Sequence, residues 1–374
     1  MGAGMNDLPG ELVAVILSKL PVNSLLLSRA VSKIWLEIID DLSFRKTYES
    51  KSCMILGLCC RDRNDSTTVF CTMTSDRVSV VAKEMITAEE IRYCHLGNCC
   101  NGLFYFNKYH MIGQPRRLVR ELLVFNPFMK ETLKLPDAPK WSPYGHNEFV
   151  LGFDPSTGTF KLLDLFFEDA DRKKVRAATF NFKTQSWGIC KASRHLSHPV
   201  RSLILLKHAT DTGNVYLWTG KNCMYNSEVG SLMQMPDRPL GQVILSFDMA
   251  KEEFQSAWFP KRVHSMHITE IDGKLAVCTS GVKYINIDVL VDYKTQKWIR
   301  RFQILKPPLR ILVDFCALSE KKIIVAYLPE ESVISTKQFY LLDLGTGEWT
   351  GLGKGRFTRR NKLFSVRPNL VSLK

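Results

Sequence analysis

No uninterrupted apolar run in this chain is long enough to span a bilayer. The N-terminal MGAGMNDLPG lacks the basic start, apolar centre and small-residue cleavage site of a secretory signal. Asn6 stands where myristoylation at Gly2 would want Ser or Thr, and the terminal LVSLK has neither a prenylation cysteine nor a retention tetrapeptide. The eleven cysteines are odd in number and include no CxxC. The adjacent pairs Cys59–Cys60 and Cys99–Cys100 would point to opposite faces of a strand, which suits neither a disulfide nor a metal. CHLGNCC, Cys94 to Cys100, lacks the two spaced ligand pairs zinc takes, and neither His195/His198 nor His264/His267 has an evident third ligand. There is no GxSxG elbow, glycine-rich phosphate loop or HExxH, and GKGRF (Gly353 to Phe357) lacks the spacing of a phosphate loop. These absences predict a soluble intracellular protein, nuclear, cytoplasmic or both. Its cysteines are expected to be buried, with no metal, no cofactor and no catalytic constellation. Carboxylates such as Asp154, Asp164 and Asp248 read as turn or strand-end residues.

What is present divides in two. Apolar residues make up 45% of the 374, enough for a substantial core. The net charge is +14, yet residues 1–50 carry five Lys/Arg against six Asp/Glu, so the basic excess lies in the rest. Asn6 and Asp7 are good helix caps and Pro9 suits a first turn. Leu12, Val13, Ile16, Leu17 and Leu20 then recur at helical spacing up to Pro21. A run from Leu25 to Val31 follows, and Ser32 can cap a third helix carrying Ile34, Trp35, Ile38, Ile39 and Leu42. Three helices in about forty residues lie near the lower limit for independent folding. The first is apolar on more than one face, which calls for a partner.

LPGELVAVILSKLPVNSLLLSRAVSKIW, Leu8 to Trp35, resembles an F-box: LP, an acidic residue, I-L-x-x-L-P, a leucine-rich middle and a V-x-K-x-W close. Gly10 and Ser32 depart from its common residues without altering the apolar pattern. The resemblance covers residues 6–46. It implies docking to a Skp-type adaptor and a cullin-based ubiquitin ligase through Leu8, Pro9, Leu12, Ile16, Leu17, Leu20, Pro21, Leu25, Leu26, Val31 and Trp35. The alternative is a helical cap on the β domain.

Beyond residue 50 one phrase repeats: LLVFNPFMKETLKL, LGFDPSTGTFKLL, ATFNFKTQSWGI, ILSFDMAKEEFQSA, VLVDYKTQKWIRR and YLLDLGTGEWTGL. Each is an apolar strand, a turn and a new strand. In FDPSTGTF, Asp154 can form an Asx turn, Pro155 presets φ and Gly158 takes a left-handed conformation. Phe160, Trp187, Phe254, Trp298 and Trp349 follow these turns and are expected to cover the junctions between sheets. Grouping the strands predicts an α+β chain: a small helical unit, then a large all-β domain over 53–374, most simply a β-propeller of about six blades. Approximate blades are 53–82, 94–135, 149–190, 202–258, 263–305 and 311–352, with KLFSVRPNLVSL helping to close the ring. Seven blades or a β-sandwich are the alternatives. CNGLFYF, VFNPFMKE, LGFDPSTGTFKLL, ILSFDMAKEEF and the terminal PNLVSL resemble the F-box-associated domain of plant F-box proteins, a kelch-like relative, although the paired glycines of strict kelch repeats are few.

Basic clusters lie at Arg116, Arg117 and Arg120, at Arg172, Lys173, Lys174 and Arg176, in KWIRRF and in GRFTRRNK. Their dispersal and the absence of a nucleic-acid module argue against nucleic acid, despite a pI near 9.2. The first two clusters are candidate contacts for an acidic or phosphorylated protein substrate, on a face built by Tyr109–Glu121, Asp137–Glu148, Glu168–Arg176 and Lys221–Pro239. The resemblance thus implies a substrate-recognition subunit of an SCF-type ligase, itself not an enzyme. A propeller enzyme or small-ligand receptor with an adaptor-binding appendage is the alternative.

Overall fold

The computed structural model describes residues 8–51, 55–61, 68–73, 94–113, 117–140, 148–196, 207–209, 213–219, 223–226, 231–234, 242–259, 266–281, 283–306, 310–317, 321–329, 337–355, 362–366 and 369–373. Four helices open it: α1 (Gly10–Leu17), α2 (Val22–Ser28), α3 (Lys33–Asp40) and α4 (Leu42–Lys51). Pro9 is itself the cap of α1, its carbonyl accepting from the Leu12 and Val13 N–H groups at 2.9 and 3.1 Å. The proposed caps Asn6 and Asp7 lie outside the described residues. Pro21 starts α2 rather than ending α1. The expected Ser32 cap is present, its Oγ accepting from the Trp35 N–H at 3.2 Å. The fourth helix was not expected. Asp41 starts it by accepting from the Ser43 and Phe44 N–H groups at 2.9 and 3.0 Å. Phe44 and Tyr48 of α4 join Val13, Leu17, Leu25, Trp35 and Ile39 in one buried cluster, which also contains Leu370.

The remaining described residues form seven sheets. Five have four strands: β3–β6 (His95–Cys100, Leu103–Ile112, Arg117–Asn126, Glu131–Lys134); β7–β10 (Glu148–Asp154, Thr159–Phe167, Lys174–Asn181, Ser186–His195); β11, β12, β15 and β16 (Lys207–Ala209, Asn214–Thr219, Gln242–Asp248, Glu253–Phe259); β17–β20 (Met266–Ile271, Lys274–Ser280, Tyr284–Asp292, Lys297–Leu305); and β21–β24 (Arg310–Ala317, Lys322–Pro329, Lys337–Asp343, Trp349–Gly355). A hairpin of β13 (Cys223–Asn226) and β14 (Ser231–Gln234) stands between β12 and β15. The seventh sheet joins the first strands of the β part to its last, with β1 (Ile55–Arg61) between β2 (Thr68–Met73) and β25 (Lys362–Val366). The first strands β3, β7, β11, β17 and β21 touch in succession, and β25 touches both β21 and β3. The ring is therefore closed as a β-propeller, not open as a sandwich, and β25 supplies its sixth innermost strand.

Local chemistry explains the repeat. Asn126, Asp154, Asn181, Asp248 and Asp343 each accept at Oδ1 from the N–H groups two and three residues on. Asp292 makes the first of these bonds. The residue four positions after each has positive φ: Lys130, Gly158, Gln185, Glu252, Gln296 and Gly347. Two positions further stand the five aromatics. Trp298 reaches the neighbouring sheet, donating to the Trp258 carbonyl at 2.7 Å and meeting Phe259 edge-on. Gln296 covers the same edge, donating to the Ser256 carbonyl and accepting from the Trp258 N–H. Unpaired backbone on an outer strand is thus masked by the next blade's side chains.

Lys161 ties two blades together. Its Nζ lies 3.0 Å from Asp154 and 3.2 Å from Glu252, and donates to the Met249 carbonyl at 3.0 Å. Burial would raise the Asp154 pKa, but hydrogen bonds from Ser156 and Lys161 outweigh it and hold the carboxyl below its usual range. Lys161→Met leaves that carboxylate buried without its cation and is expected to cost ~3 kcal/mol. A depressed carboxylate stabilises above its unfolded pKa and loses that contribution as pH falls through the folded value. The gap between wild type and variant should therefore be full at pH 7 and shrink below about pH 4. Urea midpoints at both pH values check this; a gap independent of pH would remove the ion pair from the account.

Candidate functional site

Two surfaces stand out. The first is on the helices. Leu12, Val15 and Ile16 form an exposed stripe along α1, with Leu8 just ahead of it. Leu12 is 51% exposed, against 0% for Leu17 on the opposite side. Leu27, Val31, Ile34 and Leu36 add exposed apolar groups from α2 onward. The candidate adaptor residues therefore separate. Leu8, Leu12, Ile16 and Val31 face outward, whereas Leu17, Leu25 and Trp35 are buried and Leu20 and Leu26 partly buried in the helical core. Pro9 and Pro21 sit at helix starts. The inward group holds the helices in place and does not offer an outer surface. Val15, Leu27, Ile34 and Leu36 are exposed too but were not among the candidate adaptor residues, because apolar spacing alone does not tell which side of so short a helix is covered.

The second surface follows from topology. In each four-stranded blade the first-to-second and third-to-fourth turns share one end. The second-to-third connection and the crossing to the next blade share the other. Four residues separate Leu305 from Arg310, too few to run back along a strand. The six Asx turns all lie at the first end. The helices sit there, with Arg29 Nη1 3.6 Å from Met129 Sδ in the β5–β6 turn. All four candidate loops open at the opposite end.

Two of those loops differ from expectation. Tyr109–Glu121 is not a loop: β4 runs to Ile112 and β5 begins at Arg117, paired in register through Tyr109↔Arg120 and Ile112↔Arg117. The ladder simply continues from the core past Asn107, which carries Tyr109, Met111 and Ile112 out as exposed groups. Lys221–Pro239 holds the β13–β14 hairpin. Asp137–Glu148 remains a crossing, described only at its ends, and residues 168–173 connect β8 to β9.

Of the basic candidates, Arg116 and the side chain of Arg117 lie outside the described residues. Arg120 is half-buried with its guanidinium 4.4 Å from the Phe149 ring centre. Arg172 adopts a left-handed conformation on the exposed 168–173 connection. The Lys173 and Lys174 N–H groups donate to Asp169. Lys174 and Arg176 both pair with Glu168, at 2.9 and 3.3 Å, which offsets part of the cluster's charge. Arg120 and this cluster stand at the same end of adjacent blades.

The chemistry elsewhere is quiet. Among the described residues, no group of three His, Cys, Asp or Glu could hold a metal, and no helix is long and apolar enough to cross a membrane. His195 lies on β10 and His267 is buried on β17; His198 and His264 are outside the described residues. Burial pushes the Cys190 thiol up to about 12 and raises that of Cys278, so neither is a ready nucleophile.

Residues 5–47 match the F-box domain and residues 56–342 the F-box associated beta propeller domain. A putative F-box protein of Arabidopsis thaliana is 25% identical over 308 residues, 78% of this chain and 70% of that protein. A second F-box protein of that plant is 24% identical over 310 residues, 81% and 72% of the two chains. Among solved structures, the beta-propeller domain of the Trilobed protease from Pyrococcus furiosus aligns at 15% identity over 70% of this chain and 71% of that one, with a TM-score of 0.40.

Proposed function

The chain belongs to the F-box associated beta propeller domain family and carries an F-box domain ahead of the propeller, and from that premise we propose that it is the substrate-recognition subunit of an SCF-type cullin ubiquitin ligase. The observation that carries this reading is the exposed Leu8, Leu12, Val15 and Ile16 stripe on a helical unit whose other face is fully packed. An apolar stripe so placed fits a helical partner, here a Skp-type adaptor that leads to the cullin. In this role, intracellular in nucleus or cytoplasm, the protein makes and breaks no bonds. It raises the effective concentration of substrate lysines near the charged ubiquitin carrier. Helices at one end of the propeller and long connections at the other would let both partners bind without collision. The testing experiment is co-expression of the full chain with a Skp-type adaptor. Recovery of a stoichiometric complex, lost when residues 1–51 are removed, is expected. A folded chain that recovers no adaptor would overturn the reading.

We place the substrate on the loop-bearing end, with residues 53–374 as the recognition domain. The exposed Tyr109, Met111 and Ile112 beside Arg120, and the Arg172–Arg176 cluster on the next blade, suit an acidic or phosphorylated segment with apolar residues. Arg172→Glu with Lys173→Glu should weaken substrate capture roughly tenfold in low salt, and less at physiological ionic strength, where exposed charges are screened over ~8 Å. Adaptor binding should not change. The check compares proteins retained by wild type and variant at two salt concentrations with the proteasome inhibited. Identical retention and salt dependence would move recognition to another part of the propeller.

A further inference from the structure

The last described residues lie between the two halves of the molecule and hold both. Asn126, fully buried at the start of the β5–β6 turn, uses its Oδ1 to shape that turn. Its Nδ2 donates to the Asn369 and Val371 carbonyls at 3.1 and 2.8 Å. Asn369, 1% exposed, donates in turn to the Asn101 carbonyl in the β3–β4 turn at 2.6 Å. Glu131 accepts from the Leu373 N–H at 2.7 Å and from the Ser372 hydroxyl at 3.0 Å. Val371 and Leu373 pack on the core between the β3–β6 and β7–β10 blades. Leu370, between them in sequence, goes the other way. It is 0% exposed and sits among Val13, Leu17, Leu25, Trp35, Ile39, Phe44 and Tyr48 of the helices.

We propose that residues 369–373 are a strap that fixes the orientation of the helices on the propeller, with Leu370 as the positioning residue. Covalently the two units are joined at one place, where α4 ends at Lys51 and β1 begins at Ile55. A single covalent link does not by itself fix one unit's rotation against the other. A second attachment, gripped by buried hydrogen bonds on the blade and a buried leucine in the helices, removes the rotation about it. The consequence rests on the ligase reading: a substrate held at the far end is then presented to the ubiquitin carrier at one distance and angle, and not over a swept volume.

The test measures orientation directly and uses the full chain without adaptor or substrate, so its outcome is independent of the ligase reading, which adaptor recovery by the wild type tests separately. Non-cysteine labels are placed at the exposed Glu11 and Glu253, and the distribution of distances between them is recorded by pulsed spin-label spectroscopy. A single narrow distribution is expected for the wild type and for Leu370→Met. Leu370→Asp and the milder Leu370→Ala should broaden it while helical circular dichroism and the melting of the propeller stay unchanged. A distribution as narrow in both variants as in the wild type, or one already broad in the wild type, overturns the proposal. Loss of the helical signal in both variants also overturns it, since Leu370 would then support the helices themselves and not their orientation.

Discussion

Leu12→Glu combined with Ile16→Glu is expected to abolish recovery of a Skp-type adaptor while leaving helices and propeller folded. Both side chains lie on the outer stripe of α1, and neither belongs to the helical core. Their replacement therefore leaves Val13, Leu17 and the rest of that core untouched. At an interface centre, truncation of an apolar anchor costs ~2 kcal/mol or more, and a carboxylate forced into the same pocket adds its desolvation. Two such sites sum to at least ~4 kcal/mol, roughly a thousandfold in Kd. Leu17→Ala offers the contrast. It removes a fully buried side chain, costs ~2–5 kcal/mol of helical stability, and would lose the adaptor by loosening the unit that presents the stripe. Substitutions at Pro9 or Pro21 also act on helix starts, and Leu20 is partly in the core, so these confound folding with binding. Circular dichroism and adaptor titration on the same preparations separate the two effects. Full adaptor affinity in a folded Leu12/Ile16 double variant would take the stripe out of the interface.

The five four-stranded blades were legible because each is announced by local chemistry. An Asx acceptor, a left-handed residue four positions on and an aromatic two positions later recur, and local signals of that kind survive in a single sequence. Four of the six left-handed positions are Lys130, Gln185, Glu252 and Gln296 rather than glycine, so a search for glycine alone would miss most of them. The length of β4 and β5 was less legible. Tyr109 to Ile112 and their partners Arg117 to Arg120 carry mixed polar and apolar residues because the ladder there runs on past the core, with no core to enforce alternation. Helix α4 had a readable start in Asp41 and apolar positions at Phe44 and Tyr48, a spacing of four. The contact of Leu370 with the helices had no readable signal. It joins residues more than three hundred positions apart, and nothing in PNLVSL distinguishes the leucine that faces the helices from those that face the blade. For the candidate surfaces, composition indicated apolar excess and basic clusters. Only the fold shows which leucines point outward, and that the candidate connections open at one end while the helices sit at the other.

Deleting residues 362–374 is expected to turn a soluble protein into an aggregating one, whereas deleting only 369–374 should leave it soluble. Strand β25 pairs with β1 from Ile55↔Val366 to Cys59↔Lys362 and touches both β21 and β3. It is an innermost strand, so its loss opens the ring where neighbouring blades converge. The edge of β1 then presents a row of unpaired N–H and C=O groups, next to a neighbour that has lost a packed face. Such an edge templates pairing with a second copy. The sequence along it, ILGLCC, is apolar and uncharged, the composition that favours intermolecular strands. The loss also removes Leu370 from the helical core and the Asn369 bond to Asn101. The shorter deletion keeps the ring closed and removes only these last contacts, so it reports on the strap without the edge. Size-exclusion chromatography and thermal melting of both truncations distinguish the two effects. A monomeric, cooperatively melting 362–374 deletion would show that five blades and the β1–β2 pair hold together without the closing strand.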